Sequence, residues 1–226
     1  ALHDSLTQLP NRVLLQDRIE RAIEKANRSE FGLALMFCDL DGFKNVNDAY
    51  GHQLGDRLLV QFSKKVSALL RSQDTFARLG GDEFVIVMAI DSPDDAALMA
   101  EQISAAISEP FLIDNAELLV STSIGIALYP EDASNERELM MHADAAMYHV
   151  KHSGRNGHAF FTSTMQAGTR QRLRLLQDLR HATARNELVL HYQPKFPAGG
   201  SRANGAEALL RWNHPELGLL SPDVFI

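Results

Sequence analysis

The central motif of this sequence reads RLGGDEF at residues 78–84. Residues 75–79, before the GGDE at 80–83, and residues 84–88, after it, have the β-branched and aromatic composition of two short strands. Two strands around a Gly-Gly pair predict a β-hairpin, because glycine accepts the positive φ angles of tight turns. The hairpin would carry two adjacent carboxylates, Asp82 and Glu83, at the start of its second strand. They suit a divalent cation beside a phosphate chain, although an isolated GGDE is also typical of a solvated acidic turn.

A second acidic motif follows the most apolar segment of the chain. Residues 31–38, FGLALMFC, form a near-continuous apolar run that predicts a central strand buried on both faces. Asp39 comes next, and packing alone explains such a carboxylate poorly because isolated buried charges are costly. We therefore expect Asp39 to converge with Asp82 and Glu83 at one edge of the sheet as a cation ligand. Asp41 is predicted to cap the following helical turn.

Composition places the chain among ordinary globular proteins. Its 226 residues suffice for one full domain and part of another, and 45% of them are hydrophobic and 23% charged. The net charge of −7 argues against a nucleic-acid-coating protein, and it means that an anionic ligand must rely on local cations and a metal. The single Cys38 allows no intramolecular disulfide and is predicted to fill the core.

The sequence also bears on where the protein resides. No apolar run reaches the length of a membrane span, and no signal peptide precedes the first motif. We therefore expect a cytoplasmic fragment of a longer protein. The upstream part of that protein would hold a sensor domain and, in one alternative, an inner-membrane anchor.

The predicted elements follow the order β-α-β-β-α-β, with additional helices. Asn11, Ser92 and Ser134 are expected to cap three of the helices, and residues 117–128 to form one long strand. This order predicts an α+β fold whose ferredoxin-like antiparallel sheet carries its helices on one face.

Three parts are predicted along the chain. Residues 1–162 form the first domain, and residues 163–185 form a charged linker helix. Residues 186–226 begin a second domain.

The acidic motifs belong to a set that occurs in a fixed order. It comprises DSLTQLPNR from Asp4, DLDGFKNVND from Asp39, YGH from Tyr50, GD from Gly55 and GGDEF from Gly80. Over residues 4–161 the chain thereby resembles the GGDEF domain, the diguanylate cyclase family. The resemblance implies a palm-like sheet flanked by helices and the condensation of two GTP into cyclic di-GMP with release of two pyrophosphates. It also implies a homodimer through these domains, because each domain supplies one nucleotide.

The resemblance implies roles for the acidic residues. Asp39, the Leu40 carbonyl, Asp82 and Glu83 would hold Mg²⁺ or Mn²⁺. Either Asp82 or Glu83 would assist deprotonation of the attacking hydroxyl, and the sequence leaves this choice open.

Cationic residues are implied contacts of the phosphates. Lys44 would reach them from just after the strand, beside the Phe43 amide at a helix N-terminus. The alternative is a solvated helix lysine, and the motif around Lys44 favours the phosphate contact. Lys151 and Arg155 would contact the γ-phosphate end.

The resemblance implies that four residues bind the guanine base or leave space for the nucleotide. Asn47 and Asp56 offer oxygens that accept the N1–H and N2–H₂ protons, which adenine lacks. Asp56 could alternatively cap a helix, and His52 could be a structural histidine. Gly81 is expected to leave room for the nucleotide beside the backbone.

A further pair precedes the hairpin. Arg71 and Asp74 have the Arg-x-x-Asp spacing that resembles the family's inhibitory site, where the cyclic di-GMP product binds. As a bare pattern, the same spacing is typical of a surface ion pair.

The end of the chain resembles a second family. The sequences YQP from Tyr192 and EAL from Glu207 are similar to the start of an EAL domain, the cyclic di-GMP phosphodiesterase family. Glu207 is then an implied metal ligand, and Gln193 and Arg211 are implied nucleotide contacts. The chain stops before a barrel could close, so no phosphodiesterase activity is expected from it. The alternative to a cyclase is a silent GTP- or cyclic di-GMP-binding regulatory module of a phosphodiesterase.

Overall fold

The computed structural model describes residues 2–29, 31–198 and 202–225, apart from the side chains of residues 166–173 and 223. The chain divides into two compact units, Ala1–Gln166 and Ala167–Ile226. Among the described residues, no helix combines the length and the apolar character needed to cross a membrane.

The first unit contains twelve complete helices and strands in chain order. They are α1 (Arg12–Ala26), β1 (Gly32–Asp41), α2 (Phe43–Tyr50), α3 (His52–Ser67), β2 (Thr75–Gly80), β3 (Glu83–Ile90), α4 (Pro93–Ser108), β4 (Phe111–Ile113), β5 (Ala116–Leu118), β6 (Ser121–Tyr129), α5 (Glu136–His152) and β7 (Gly157–Phe160). Five of the strands form one sheet in the order β2-β3-β1-β6-β7. The predicted hairpin is therefore confirmed as β2 and β3, which pair in antiparallel fashion.

Helices cover both faces of this sheet, so the prediction that they lie on one face is wrong. Met36 on β1 belongs to the core that α3 and α4 cover, whereas Leu35 belongs to the core beneath α1 and α5. The cause lies in β1 itself, because an uninterrupted apolar strand needs apolar neighbours on both sides. The sheet is also mixed, since β7 runs parallel to β6 while β1 is antiparallel to both of its neighbours.

Two local predictions need correction. Residues 117–128 form two strands, because β5 pairs with β4 in a separate hairpin whose turn residues, Asp114 and Asn115, have positive φ. The cap of α5 is Asn135, whose side chain accepts from the Glu138 amide at 3.0 Å. Ser134 instead donates its amide and hydroxyl to the Glu138 carboxylate.

Other local predictions are confirmed. Asn11 caps α1 by accepting from two amides of its first turn. Ser92 precedes Pro93 at the start of α4, and the Asp95 carboxylate accepts from the Ser92 amide at 3.1 Å. Cys38 is buried in the core.

The second unit is a small sheet packed on helices. A helix, α6 (Ser163–Ala182), leads into β8 (Leu188–Lys195), β9 (Gly205–His214), β10 (Gly218–Leu220) and α7 (Pro222–Phe225). The strands form an open antiparallel sheet in the order β10-β9-β8, and the described residues contain no closed barrel. Trp212 is buried at its centre, and its indole N–H donates to Glu187 at 2.9 Å.

Candidate functional site

Strand pairing brings the predicted carboxylates to one edge of the sheet. Asp39, near the end of β1, lies opposite Glu83, the first residue of β3. The Leu40 amide donates to the Asp82 carbonyl at 3.3 Å, which ties the end of β1 to the turn. The turn of the hairpin therefore lies beside the end of the central strand, as the motif order predicts.

The conformation of the turn depends on glycine and on a buried arginine. Gly80 and Gly81 have φ values of 147° and 54°, in the region that side chains other than glycine seldom adopt. The Arg78 guanidinium donates to the Gly81 carbonyl at 2.7 Å and 3.1 Å, and to Asp4 at 2.9 Å. Asp4 in turn accepts from the amide and hydroxyl of Thr7. The N-terminal motif thus supports the acidic turn from outside the hairpin.

Asp39 is the most buried of the three carboxylates. Its residue is only 5% exposed, and its Oδ2 lies 2.7 Å from the Lys151 ammonium. Burial raises the pKa of Asp39 to about 6; the nearby charges of Asp82 and Asp41 also raise it, and Lys151 opposes both effects. The site therefore has more negative charge than one lysine compensates, which is an environment that favours a bound cation.

Helix α5 contributes a carboxylate that the sequence reasoning missed. Burial raises the pKa of Glu83, and the charges of Asp144 and Asp82 raise it further. Desolvation likewise raises the pKa of Asp144, while Lys151 lowers it. Asp144 and Lys151 are seven residues apart, about two helical turns, so they share one face of α5. That spacing, read from Lys151, is the sequence signal that could have identified Asp144.

A glycine on β6 allows α5 to lie this close to the sheet. A Cβ built on Gly125 would collide with backbone atoms of Met147 and Ala143 on α5. The helix backbone therefore rests directly on the strand, and its next turns reach the edge where Asp39 lies.

The donor atoms of this edge fit a hard divalent cation, although its geometry is not that of a preformed metal centre. In the described part of the chain, no group of three or more His, Cys, Asp or Glu residues is arranged to hold a metal ion. Asp39, Asp82 and Glu83 nevertheless supply carboxylate oxygens, which Mg²⁺ prefers. An ion bound to Asp39 would compete with Lys151 for the same carboxylate.

The prediction that Asp41 caps a helix is wrong. Gly42, with φ of 80°, is the residue before α2, and Asp41 is still part of β1. The strand extends this far because Asp41 pairs with Ser121 on β6. Its carboxylate is buried and hydrogen-bonded, and Arg155 lies beside it.

The start of α2 is open to solvent. Phe43 is buried and Lys44 is exposed. Gly42, before the first turn of α2, makes no side-chain cap hydrogen bond, and an uncapped helix start of this kind can bind an anion.

The proposed guanine contacts lie at the junction of α2 and α3. The Asn47 Oδ1 atom is buried without a hydrogen-bond partner among the described residues. It lies where a Cβ of Gly55 would be, so residue 55 must be glycine for Asn47 to pack there. Asp56 is exposed within α3, which begins at His52, and the alternative that it caps the helix is wrong. His52 is also exposed, which does not fit a buried structural histidine.

The residues of the predicted inhibitory site form a turn before β2. The Asp74 carboxylate accepts from the Arg71 amide at 2.8 Å, and the Asp74 amide donates to the Arg71 carbonyl at 3.0 Å. Hydrogen bonds from the Ser92 and Asp91 amides, with the charge of Arg71, lower the pKa of Asp95. The charge of Arg71 therefore acts on Asp95 in the first turn of α4, while the Asp74 carboxylate binds the backbone of Arg71.

The residues expected to act in the second unit lie on neighbouring strands. Gln193 and Glu207 are opposite each other on β8 and β9. Glu207 is exposed and pairs with Lys195 at 3.1 Å, and Arg211 donates to the Leu210 carbonyl at 2.7 Å.

Comparisons with known proteins agree with this arrangement. Residues 1–157 match the family described as "Diguanylate cyclase, GGDEF domain", and residues 176–226 match the EAL domain. The GGDEF domain of TpbB (YfiN) from Pseudomonas aeruginosa is 40% identical with a TM-score of 0.71, over 73% of this chain and 97% of that one. The GGDEF domain of DgcB from Caulobacter crescentus, solved in complex with c-di-GMP, is 29% identical with a TM-score of 0.67, over 71% and 95% of the two chains.

Curated relatives match both parts of the chain. MucR of Pseudomonas aeruginosa, named a bifunctional diguanylate cyclase/cyclic di-GMP phosphodiesterase, is 55% identical over 226 residues, which are 100% of this chain and 33% of MucR. PdeR of Escherichia coli, named a cyclic di-GMP phosphodiesterase, is 42% identical over 99% of this chain and 33% of its own. The chain thus spans about a third of the length of these curated relatives. The protein belongs to the GGDEF domain family over most of its length and continues into the start of an EAL domain.

Proposed function

We propose that this chain is a diguanylate cyclase that condenses two GTP molecules into cyclic di-GMP in the presence of Mg²⁺. The observation that carries the proposal is the buried Asp39 carboxylate, which lies opposite Glu83 and 2.7 Å from Lys151. A carboxylate edge with too little compensating charge suits a cation and the triphosphate bound to it. We also propose the division into a catalytic domain over 1–162, a linker helix over 163–185 and an EAL start over 186–226.

Each group at the edge has a role in this reaction. Asp39, the Leu40 carbonyl, Asp82 and Glu83 would hold Mg²⁺, which supplies charge stabilisation at the reacting phosphate. The raised pKa of Glu83 suits a residue that takes a proton from the attacking 3′-hydroxyl, and Asp82 is the alternative acceptor.

Cationic groups would bind the remaining phosphates. Lys44 lies at the open start of α2, with the amide of Phe43 beside it, and faces solvent. Lys151, in the last turn of α5, lies near Asp39, and Arg155, in the turn after α5, lies near Asp41. Gly81 leaves the turn without a side chain that could obstruct the nucleotide.

Base selection is assigned to the α2–α3 junction. A buried amide oxygen without a partner, as at Asn47, is costly unless a ligand donates to it. Guanine offers such donors, and the exposed Asp56 and His52 lie on the adjoining helix. Because one domain supplies a single nucleotide, the active form is proposed to be a homodimer.

A second function is supported by the relatives and by the site itself. PdeR bears the name of a phosphodiesterase alone, although the match covers 99% of this chain. The Asp39 carboxylate is engaged by Lys151, so a chain that binds GTP without turnover is the alternative. It would act as a regulatory module, with cyclic di-GMP at Arg71 and Asp74. In a longer protein, an upstream sensor would control it, and Gln193, Glu207 and Arg211 would belong to the phosphodiesterase site.

The decisive experiment incubates purified protein with GTP and Mg²⁺ and separates the nucleotides by chromatography. We expect cyclic di-GMP from the wild-type chain and none from Asp82→Asn, whose neutral amide is a poor substitute for a charged ligand. Unchanged thermal unfolding of the variant would show that the fold is intact. GTP binding without any product in the wild-type chain would overturn the cyclase in favour of the regulatory module.

Base choice is tested on the same protein. The double substitution Asn47→Ala with Asp56→Ala should weaken GTP binding more than ATP binding, because only guanine loses acceptors for its protons. Equal losses for the two nucleotides in calorimetry would contradict the assignment.

A further inference from the structure

The Asp41 carboxylate accepts hydrogen bonds from two serine hydroxyls and one backbone amide. Its Oδ2 accepts from the Ser121 hydroxyl at 2.8 Å and from the Asn156 amide at 3.2 Å. Its Oδ1 accepts from the Ser123 hydroxyl at 2.8 Å, and the Arg155 Nε lies 3.9 Å away. The Asp41 side chain is only 6% exposed. A carboxylate is the side chain that can accept from all of these groups at once while also balancing the charge of a guanidinium.

These contacts hold a turn of unusual conformation between α5 and β7. Arg155 and Asn156 have φ values of 61° and 49°, so two successive residues other than glycine are left-handed. Such conformations are costly and persist where the surroundings fix them. The Asn156 amide is fixed by Asp41, and the Arg155 amide donates to the Val150 carbonyl at 3.0 Å. The turn is therefore anchored at both ends of the left-handed pair.

The guanidinium that this turn presents is accessible. The Arg155 side chain is 63% exposed, and an exposed ion pair at 3.9 Å adds little to stability. The effect of the Asp41–Arg155 ion pair is therefore to restrict the position of the Arg155 side chain rather than to stabilise the fold. Without the anionic partner and the fixed turn, a long side chain has many rotamers to lose when it binds a phosphate.

We propose that Asp41 is a positioning residue that fixes the α5–β7 turn and orients Arg155 toward the triphosphate. The inference deepens the proposed function and rests on it, because it assigns the γ-phosphate end of GTP as the group that Arg155 meets. Asp41 itself does not touch the nucleotide in this arrangement; it acts through Arg155.

The test measures nucleotide binding by calorimetry with α,β-methylene GTP, which cannot release pyrophosphate, and with α,β-methylene GDP, which lacks the γ-phosphate. Asp41→Asn keeps an acceptor oxygen and the size of the side chain but removes its charge. We expect about five- to tenfold weaker binding of the triphosphate, the effect of one hydrogen bond, and less than about a twofold change for the diphosphate. Thermal unfolding identifies any loss of folded protein.

A double-mutant cycle separates positioning from a purely structural role. If Asp41 acts through Arg155, Asp41→Asn should cause no further loss of triphosphate binding in the Arg155→Ala background. The pair Ser121→Ala with Ser123→Ala, which leaves the carboxylate charged but less firmly held, should weaken triphosphate binding in the same selective way. It serves as the second variant if Asp41→Asn unfolds.

Several results would overturn the inference. They are wild-type affinity in the folded Asp41→Asn variant, an equal loss for both analogues, and the same loss with and without Arg155. If the two serine substitutions leave both affinities unchanged, the hydrogen bonds do not position Arg155. A wild-type chain that binds neither analogue overturns the proposed function and this inference with it.

Discussion

The Arg78 guanidinium joins Asp4 to the Gly81 carbonyl, with the Asp4 oxygen at 2.9 Å, so one buried side chain connects the N-terminal motif to the acidic turn. The side chains of Arg78 and Asp4 are 9% and 21% exposed, respectively. Truncating either partner of such a pair leaves the other poorly solvated and unpaired. The N-terminal motif is thus a structural part of the hairpin turn, although about 70 residues separate them in the chain.

The first prediction concerns this connection. Asp4→Ala should reduce the free energy of unfolding by about 2 kcal/mol, because the Arg78 guanidinium and the Thr7 amide lose their acceptor. Urea unfolding measures the change. Asp17→Ala, which removes an exposed ion pair with Arg21 on α1, is the matched control and should change the same quantity by less than about 0.5 kcal/mol. Equal effects of the two substitutions would show that the connection does not stabilise the fold.

The second prediction concerns the close packing of α5 against β6 of the sheet. Gly125→Ala should reduce the free energy of unfolding by about 3 kcal/mol or more. A Cβ at this position of β6 would collide with backbone atoms of α5, and backbone, unlike a side chain, cannot rotate away. Gly157→Ala on the paired strand β7 is the control, since a Cβ there meets nothing within 4 Å. Thermal unfolding compares the two. A Gly125→Ala variant as stable as its control would mean that α5 can move off the sheet without loss.

The sequence predicts which strands pair at the site but does not predict how α5 packs on the sheet at Gly125. The sequence predicts Asp39 beside Glu83, because Asp39 ends one apolar strand and Glu83 begins another, and the pairing of β1 with β3 confirms it. The approach of Asp144 depends on how α5 is rotated and how closely it packs, which the backbone contact at Gly125 determines. Element order likewise does not specify which face each helix covers. The consecutive apolar residues of β1 do predict it, because a strand that is apolar on both faces needs helices on both sides of the sheet.

The third prediction follows from the pKa of Asp39, which burial raises to about 6 from an ordinary 3.8. Between about pH 4 and 6 the folded metal-free protein binds more protons than the unfolded chain, so this group's contribution to stability declines as pH rises through that window. Mg²⁺ needs the charged carboxylate, and its affinity should therefore fall by about tenfold per pH unit below pH 6. Calorimetric titration with Mg²⁺ from pH 5 to 8 measures it.

A substitution at Lys151 tests whether the pKa of Asp39 causes the pH dependence of Mg²⁺ binding. Lys151 lowers the pKa of Asp39, so Lys151→Met should move the pH dependence of Mg²⁺ binding upward. An affinity that does not vary with pH in the wild-type chain would exclude Asp39 as a ligand.

The fourth prediction decides between the two candidate proton acceptors. The negative charge of Asp144 helps to raise the pKa of Glu83, so Asp144→Asn should lower it. If Glu83 is the base, the acidic limb of the kcat/KM profile for GTP shifts to lower pH. Glu136→Gln, at the first residue of the same helix, is the control and should leave the limb in place. An unchanged limb in Asp144→Asn would indicate that Asp82 accepts the proton.

The fifth prediction concerns regulation by the product. Arg71 is exposed at the turn before β2, and its partner Asp74 is fixed by the Arg71 amide. The six residues of β2 separate this turn from the acidic turn, about 20 Å at the usual rise of a strand. If cyclic di-GMP binds at Arg71 and Asp74, it should slow GTP turnover without competing with GTP, because the two ligands occupy different ends of the strand.

Initial rates measured against added cyclic di-GMP at several GTP concentrations test this regulation. Arg71→Ala should relieve the inhibition, since a guanidinium that grips phosphate or a guanine edge is lost. Lys64→Ala, which removes an exposed positive charge near the end of α3, is the matched control and should be inhibited like the wild-type chain. Inhibition that rising GTP abolishes completely would place the product in the active site instead. Equal inhibition of Arg71→Ala and wild type would leave Arg71 and Asp74 with the role of closing the turn before β2.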